Sequence, residues 1–495
     1  METLLSDDVR RRILAKVTPT QKELDTQKTI IETLKHALID HPSSEHYAYS
    51  FIGAQGSTGQ KQTQLRGSAD IDLFIGLIPE SYAEIINKPE RERHQSLDDL
   101  MSSLVEDWVE PAVSELKTSN IQRAFSQHPY LSLKMMGIDI DILGSFDIDV
   151  EYLSEKGPIT AVDRTIHHTR FVADMLTDKK RDDVRILKSF VRASHAYGDQ
   201  CAVGRMGITG VSLELIAIYS DGLDDAFNAL EHLDTRPIDP NNRSLTELRK
   251  NPAFRDDYII LIDPTDHQRN IASSFTPRAY EWVKYRLRRL REVSKRGNES
   301  EVLDLLTESS IPTEALPDWL ESRAFSREFK SDGSRHYTIL RDKLYRVAKR
   351  VQSSLETERT GEPRFGETLV EVYFEKDRYS IGVLVENPDV SEHYVRRGPP
   401  TDLAEAVEEF RKSHSEAEER NGFLWTSERR QWREPQKLIS DILEKNPVQG
   451  LVQVTDPTSV SKRVLNVLYR YILPIESSFL GKMAKVKEGV LEIPR

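Results

Sequence analysis

The chain has one cysteine, Cys201, in 495 residues. A single thiol closes no internal disulfide and supplies no cysteine-rich zinc site, so the fold must rest on its cores, and a reducing compartment is expected. Long apolar runs are lacking too. The most compact stretch, Tyr258 to Ile262, is far short of the roughly 20 residues that cross a bilayer. The opening Met-Glu-Thr-Leu-Leu-Ser-Asp-Asp has no basic segment ahead of an apolar one, so no secretory leader is expected and the predicted setting is the cytoplasm. Nor is there an excess of positive charge: 69 Lys and Arg stand against 81 Asp and Glu, a formal charge of −12. A protein coated in positive charge is thereby excluded, and any nucleic-acid contact must come from local basic faces. There is no internal repeat and no long low-complexity linker. What remains is ordinary globular material, 38% hydrophobic and 30% charged, enough for about three domains.

Periodicity outlines the first of these. Residues 4–40 carry Leu4, Leu5, Val9, Ile13 and Leu14, then Ile30, Ile31, Leu34 and Leu38, at helical spacing. A short strand then runs into a turn at Gly56-Ser57. Residues 69–77 and 137–150 alternate acid with apolar and read as strands, and residues 95–118 between them read as helix. The order describes an α+β domain. Residues 160–232 read as mostly helical, with Val184, Leu187, Phe190 and Val191 on one face of a helix that is expected to stop near Tyr197-Gly198. Residues 258–264 read as a short strand, and 278–296 as a basic helix. The remainder mixes strands (369–374, 379–385) with helices (403–414, 460–472).

The sharpest chemical signal lies in residues 56–74. Residues two apart on a strand point the same way, so Asp70 and Asp72 present paired carboxylates. Hard divalent cations relieve such repulsion. Upstream, Gly56 and Ser57 form a turn able to offer N–H groups and a hydroxyl to a phosphate, with Lys61 and Arg66 close by in sequence. A phosphate-holding turn followed by a metal-holding acid pair is the equipment of phosphoryl or nucleotidyl transfer. A two-metal site usually needs a third carboxylate. Asp139 and Asp141 offer one, Asp147 and Asp149 are further candidates, and spacing alone does not choose among them.

This string resembles the nucleotidyltransferase signature of the polymerase-beta superfamily. Further runs narrow the likeness: Thr160 to Val172, Val184 to Gly198, Gly207 to Leu215, Ile262 to Ala272, and Arg396 to Pro400. In this collinear order the chain resembles the archaeal-type (class I) CCA-adding enzymes, the tRNA nucleotidyltransferases. The resemblance implies metal carboxylates at Asp70, Asp72 and Asp141, with Asp139 as second choice for the third. It implies Ser57, His168, Lys188 and Tyr197 at the triphosphate of the incoming nucleotide, and Arg269 at the base. Where the family has Gly-Ser, two residues and an arginine, this chain has one residue more and Lys61 as the equivalent cation. Lys188 and Tyr197 are nine apart, on opposite faces of one straight helix, so they share a ligand only if the helix ends between them.

The implied architecture is a multidomain α+β chain: a polymerase-beta-like nucleotidyltransferase head (1–155), a helical neck (156–275), and C-terminal α+β body and tail domains (276–495) that grip the tRNA acceptor stem. The implied activity is addition of C, C and A to the tRNA 3′ end from CTP and ATP, with Mg²⁺ as cofactor and a homodimer as assembly. A related transferase with another product, or a decayed tRNA binder, is the alternative. Three basic stretches are the expected RNA contacts: the 278–296 helix; Lys343, Arg346, Lys349 and Arg350; and Lys462, Arg463, Arg470, Lys482, Lys485 and Lys487.

Overall fold

The computed structural model describes residues 3–125, 128–307 and 309–486, with side chains as far as Lys482. Lys485 and Lys487 of the last basic stretch therefore fall outside the described side chains. The chain divides into two compact units, 1–198 with 206–309, and 199–205 with 310–495.

The first unit is built on a five-stranded sheet. Its strands are β1 (Tyr49–Gln55), β2 (Asp70–Leu77), β3 (Thr118–Phe125), β4 (Pro129–Met135) and β5 (Ile138–Phe146), in the order β1-β2-β5-β4-β3. β2 and β5 run parallel, and the other pairs are antiparallel. Alternation in β2 and β5 sends Ile71, Leu73, Ile140 and Ile142 into one core with Ile30, Leu34 and Leu38 of the helix Gln21–Asp40. Each such side chain contributes about 1.5–3 kcal/mol by leaving water. Trp108 is fully buried in the same core, and its indole N–H donates to the Leu38 carbonyl at 2.8 Å.

Several expectations are corrected here. The single helix over 4–40 is two, Asp7–Val17 and Gln21–Asp40. Pro19 cannot continue the first, and Thr20 caps the second: its backbone N–H donates to Glu23 Oε2 at 2.7 Å while the Glu23 N–H donates back to Thr20 Oγ1 at 3.3 Å. The β3–β4 hairpin was not foreseen, because β3 is an edge strand exposed along most of its length and carries no alternation to read. The strand expected over 137–150 ends at Phe146. Beyond it, Asp147 accepts from Ser50 Oγ at 2.7 Å and Asp149 caps the helix Val150–Lys156. Neither is on the strand with Asp141. The apolar run over 258–264 forms only β6 (Ile262–Asp263), paired with β7 (Asp266–Asn270).

The rest of this unit is helical: Arg164–Met175, Asp178–Ala193, Gly210–Ile218, Leu223–Glu231, Pro277–Lys295 and Glu299–Leu306. The basic helix buries Tyr280, Trp282, Val283, Leu287, Leu290 and Val293 on one side. Much of its charge is spent within the unit. Lys284 pairs with Asp234 at 2.6 Å, Arg291 with Glu231 at 2.9 Å, and Arg289 with Glu301. Its run of cations is thus less of a phosphate-binding face than composition suggests, although Arg288 stays 61% exposed.

The second unit holds two sheets. β8 (Ala324–Ser331), β9 (Thr368–Glu375), β10 (Arg378–Val385) and β14 (Leu451–Gln453) are ordered β14-β8-β10-β9; β11 (His393–Pro400), β12 (Glu418–Arg420) and β13 (Phe423–Arg429) are ordered β11-β13-β12. Helices Tyr337–Glu356 and Pro435–Lys445 cover the larger sheet, burying Leu340, Leu344, Val351 and Leu355 with Val372, Ile381 and Val383. Among the described residues, no helix is long and apolar enough to cross a membrane.

Candidate active site

The parallel pairing of β2 with β5 sets Asp70 beside Asp139 and Asp72 beside Asp141. Four carboxylates thus stand at the starts of two adjacent strands, on the same side of the sheet. They are not equivalent. Asp139 is exposed and pairs with Lys134, its neighbour on β4, at 3.0 Å. Asp72 is sunk between the others. Burial first, then the charges of Asp70 and Asp141, push its carboxyl up to about 7, and Lys61 pulls the other way. The carboxylates that act on Asp72 are Asp70 and Asp141, with Asp139 outside the group. Among the described residues, no three His, Cys, Asp or Glu side chains form a ready-made metal cage. The arrangement is an open edge of oxygen ligands. Its donor set still fits divalent cations: hard oxygens in mutual repulsion, which a bound cation would relieve.

The turn expected to hold phosphate borders this edge. β1 ends at Gln55, and Gly56 takes φ +68°, the left-handed region that only glycine enters without strain. A Cβ there would also lie 2.8 Å from Asp72 Oδ2, so the missing side chain is what lets the turn close over the carboxylate. The turn is fastened on both sides. Thr58 Oγ1 donates to the Asp70 carbonyl at 2.5 Å, and the Thr63 N–H donates to the Ser57 carbonyl at 3.1 Å. Farther along, the Arg66 N–H donates to the Val17 carbonyl at 2.7 Å and the Gly67 N–H to Glu23 Oε1 at 2.8 Å. Ser57 is half-buried in this turn.

The cations expected at the triphosphate are brought together by an acid that the sequence reading did not single out. Glu214, 1% exposed on the helix Gly210–Ile218, accepts from Lys61 Nζ at 3.0 Å and from Lys188 Nζ at 2.9 Å. Thr63 Oγ1 donates to the same carboxylate at 2.5 Å. Burial alone would raise the Glu214 carboxyl; the charges of Lys188 and Lys61 outweigh it and bring it down to about 2. A lone acid in the otherwise apolar Gly-Val-Ser-Leu-Glu-Leu-Ile-Ala-Ile was the available signal, since such a charge must find partners.

Tyr197 reaches this cluster because its helix stops early, at Ala193 rather than near Gly198. His195, at φ +51°, reverses the chain, and the Ala196 N–H returns to the Val191 carbonyl at 3.1 Å. A Cβ on Gly210 would lie 2.6 Å from Tyr197 Oη and 3.4 Å from Lys188 Nζ, so both side chains meet over that glycine. Burial, then the charges of Glu214 and Asp70, hold the Tyr197 hydroxyl in its protonated form.

His168 and Arg269 form a second group around another unforeseen acid. Asp263, fully buried on β6, accepts from His168 Nε2 at 2.6 Å, from Arg269 Nη1 at 3.1 Å, and from the N–H and hydroxyl of Thr265 at 2.9 and 2.7 Å. Burial would raise this carboxyl, but the His168 contact and Thr265 hold it well below the usual carboxylate range. Arg269 keeps 40% of its side chain exposed. It borders a cavity of about 530 Å³ whose lining includes Arg164, Phe254, Asp257, Asp266 and Asn270.

Residues 182–296 match the family model described as tRNA nucleotidyltransferase, second domain. The chain is 30% identical over 274 residues to the CCA-adding enzyme of Pyrobaculum islandicum, an alignment that takes in 55% of this chain and 57% of that one, little more than half its length. With the CCA-adding enzyme of Sulfolobus acidocaldarius it shares 25% identity over 423 residues, 85% of each chain. Among solved structures, CdnC of E. coli MS115-1 with ATP superposes with a TM-score of 0.42 at 15% identity, covering 61% of this chain and 96% of that one. The second-domain match and the likeness to these relatives make this chain similar to the CCA-adding enzymes, which are tRNA nucleotidyltransferases.

Proposed function

We propose that this protein adds C, C and A to the 3′ end of tRNA, using CTP and ATP without a nucleic-acid template. The observation that carries the reading is the register of β2 on β5. It joins Asp70, Asp72 and Asp141 at one edge, bordered by the Gly56-Ser57 turn and the Lys61–Glu214–Lys188 cluster. The likeness to chains named CCA-adding enzyme supplies the substrate.

The terminal ribose hydroxyl of the tRNA attacks the α-phosphorus of the bound nucleotide in line, and pyrophosphate leaves. Two Mg²⁺ held by Asp70, Asp72 and Asp141 would make that hydroxyl a better nucleophile and offset the charge of the leaving group. The rest of the work falls to the chain itself. The Gly56-Ser57 turn offers N–H groups and a hydroxyl to the phosphates, Lys61 supplies positive charge beside the acids, and Tyr197 with Lys188 closes the wall behind them. His168 and Arg269, pinned together by Asp263, are assigned to the triphosphate and the base respectively. On the second unit, exposed Arg397, whose guanidinium lies 4.8 Å from the Phe423 ring centre, and exposed Arg346 and Lys349 are candidates for tRNA phosphates. The proposed setting is the cytoplasm and the proposed assembly a homodimer.

Incubation with Mg²⁺ and tRNA lacking its CCA end, resolved at single-nucleotide length, tests this. Two additions with CTP alone and a third when ATP joins are expected. A long A tail, or nucleotide consumed without tRNA, would keep the catalytic residues and discard the substrate.

A further inference from the structure

The helix Asp178–Ala193 carries Arg181, Arg185 and Lys188 at helical spacing, on one face. That face meets three successive carbonyls of the segment that follows the Gly56-Ser57 turn. Arg181 Nε donates to the Lys61 carbonyl at 3.2 Å, Arg185 Nη2 to the Gln62 carbonyl at 2.7 Å, and Lys188 Nζ to the Thr63 carbonyl at 3.1 Å. The two arginines also have carboxylates of their own on the preceding turn of the helix. Arg181 pairs with Asp178 at 2.8 Å and Arg185 with Asp182 at 3.0 Å, and their side chains are only 20% and 13% exposed. A guanidinium so paired and pressed against backbone acts as a fixed donor, its charge already balanced beside it.

The residue in the middle of the row is the strained one. Gln62 takes φ +52°, the left-handed region that residues with a Cβ enter at a cost. Its side chain is exposed, and the conformation is held through the backbone. Arg185 secures the Gln62 carbonyl, and the next N–H, that of Thr63, donates to the Ser57 carbonyl at 3.1 Å. The reversal at Gln62 therefore brings the chain back onto the turn that closes over Asp72. A residue persists in such a conformation only where its surroundings over-determine it, and such residues gather at ligand clamps.

We propose that Arg181 and Arg185 are positioning residues for the incoming nucleotide: they clamp the backbone of Lys61 and Gln62 to the helix, keeping Gln62 left-handed and the Gly56-Ser57 turn shaped for the phosphates. The proposal rests on the reading of this edge as a nucleoside-triphosphate site, and it leaves the assignments of Lys61 and Lys188 there unchanged. It also gives the longer turn its support, since the additional residue ahead of Lys61 lengthens the segment that must be secured.

The test is equilibrium binding of CTP and of CMP to the full chain with Mg²⁺ and without tRNA, read as the ratio of the two affinities. A merely structural residue moves both affinities together and leaves that ratio unchanged. Arg185→Met is expected to lower the ratio by at least ~10-fold, the scale of a lost hydrogen bond to a charged group. Arg181→Met, which gives up a longer bond, is expected to lower it by about threefold. Gln62→Gly, which enters the left-handed region freely, is expected to stay within about twofold of wild type. Gln62→Val, which does not, is expected to fall as far as Arg185→Met. The double variant of Arg185→Met with Gln62→Val should fall no further than the lower of the two, because both act through one backbone conformation. If Arg185→Met does not fold, Arg181→Met decides, because it leaves the better-buried arginine in place. A wild-type ratio in the deciding arginine variant, or equal losses in Gln62→Gly and Gln62→Val, would overturn the proposal. Additive losses in the double variant would also overturn it, by showing that the arginine meets the nucleotide directly. A wild-type protein with no preference for CTP over CMP would instead overturn the triphosphate reading on which it rests.

Discussion

A carboxylate buried without partners keeps its proton, and a carboxylate buried between two ammonium groups loses it. Glu214 is in the second position, and its acidity follows from its neighbours rather than from its burial. The consequence for stability has a definite sign. A carboxyl that sits near 4.5 in the unfolded chain and at about 2 in the folded one stabilises the fold fully above about pH 4.5. That contribution is lost as the pH falls toward 2. Thermal midpoints of the wild type and of Glu214→Gln, measured between pH 5 and pH 3, should therefore converge on acidification, with the wild type losing more. Parallel acid limbs would show that the ion pairs add nothing. Asp263, held low by His168 and Thr265, adds a further acid-sensitive contact in the same unit. Asp72 has the opposite character. Burial, and then the acids beside it, make its ionised form a cost to the fold.

At the scale of elements, the site depends on where strands and helices begin and stop. The helix Gly210–Ile218 is a clear case, because its first residue is the floor beneath Tyr197 and Lys188. Gly210→Ala sets two effects against each other. Alanine favours a helix by about 0.5–1 kcal/mol, whereas forcing a methyl group into a filled space costs about 1–3 kcal/mol. With Tyr197 Oη 2.6 Å from the new Cβ, overpacking wins. The variant should melt at a lower temperature and bind CTP less tightly; unchanged values for both would show that the tyrosine gives way freely. Such element boundaries also mark what could be read from sequence. Asp70 and Asp72 were legible because a strand's period of two is a local property. Spacing alone left Asp139 and Asp141 both open and only the resemblance named Asp141; the exposed pairing of Asp139 with Lys134 across a strand boundary is a long-range feature that spacing does not carry. The early stop at Ala193 was missed because the left-handed residue is His195, where a glycine was the expected signal.

The whole molecule repeats that lesson at longer range. The acids that gather the candidate cations were invisible as a group, since Lys61 and Glu214 are 153 residues apart and His168 and Asp263 are 95 apart. The basic run of Pro277–Lys295 was visible, but a count of charges does not say which of them already have the acids Asp234, Glu231 and Glu301 as partners. The β3–β4 hairpin carried no pattern, since an exposed edge strand has no core to face. What was legible throughout was the α+β character of the N-terminal part and the string at its centre, and the register of two strands brings the carboxylates of that string to one edge. The most direct measurement compares Asp141→Ala and Asp139→Ala with wild type in single-nucleotide extension of tRNA lacking its CCA end. Loss of incorporation by at least ~10²–10³-fold in Asp141→Ala, with Asp139→Ala within a few-fold of wild type, is the predicted result. The reverse order, or full activity in Asp141→Ala, would contradict the site described.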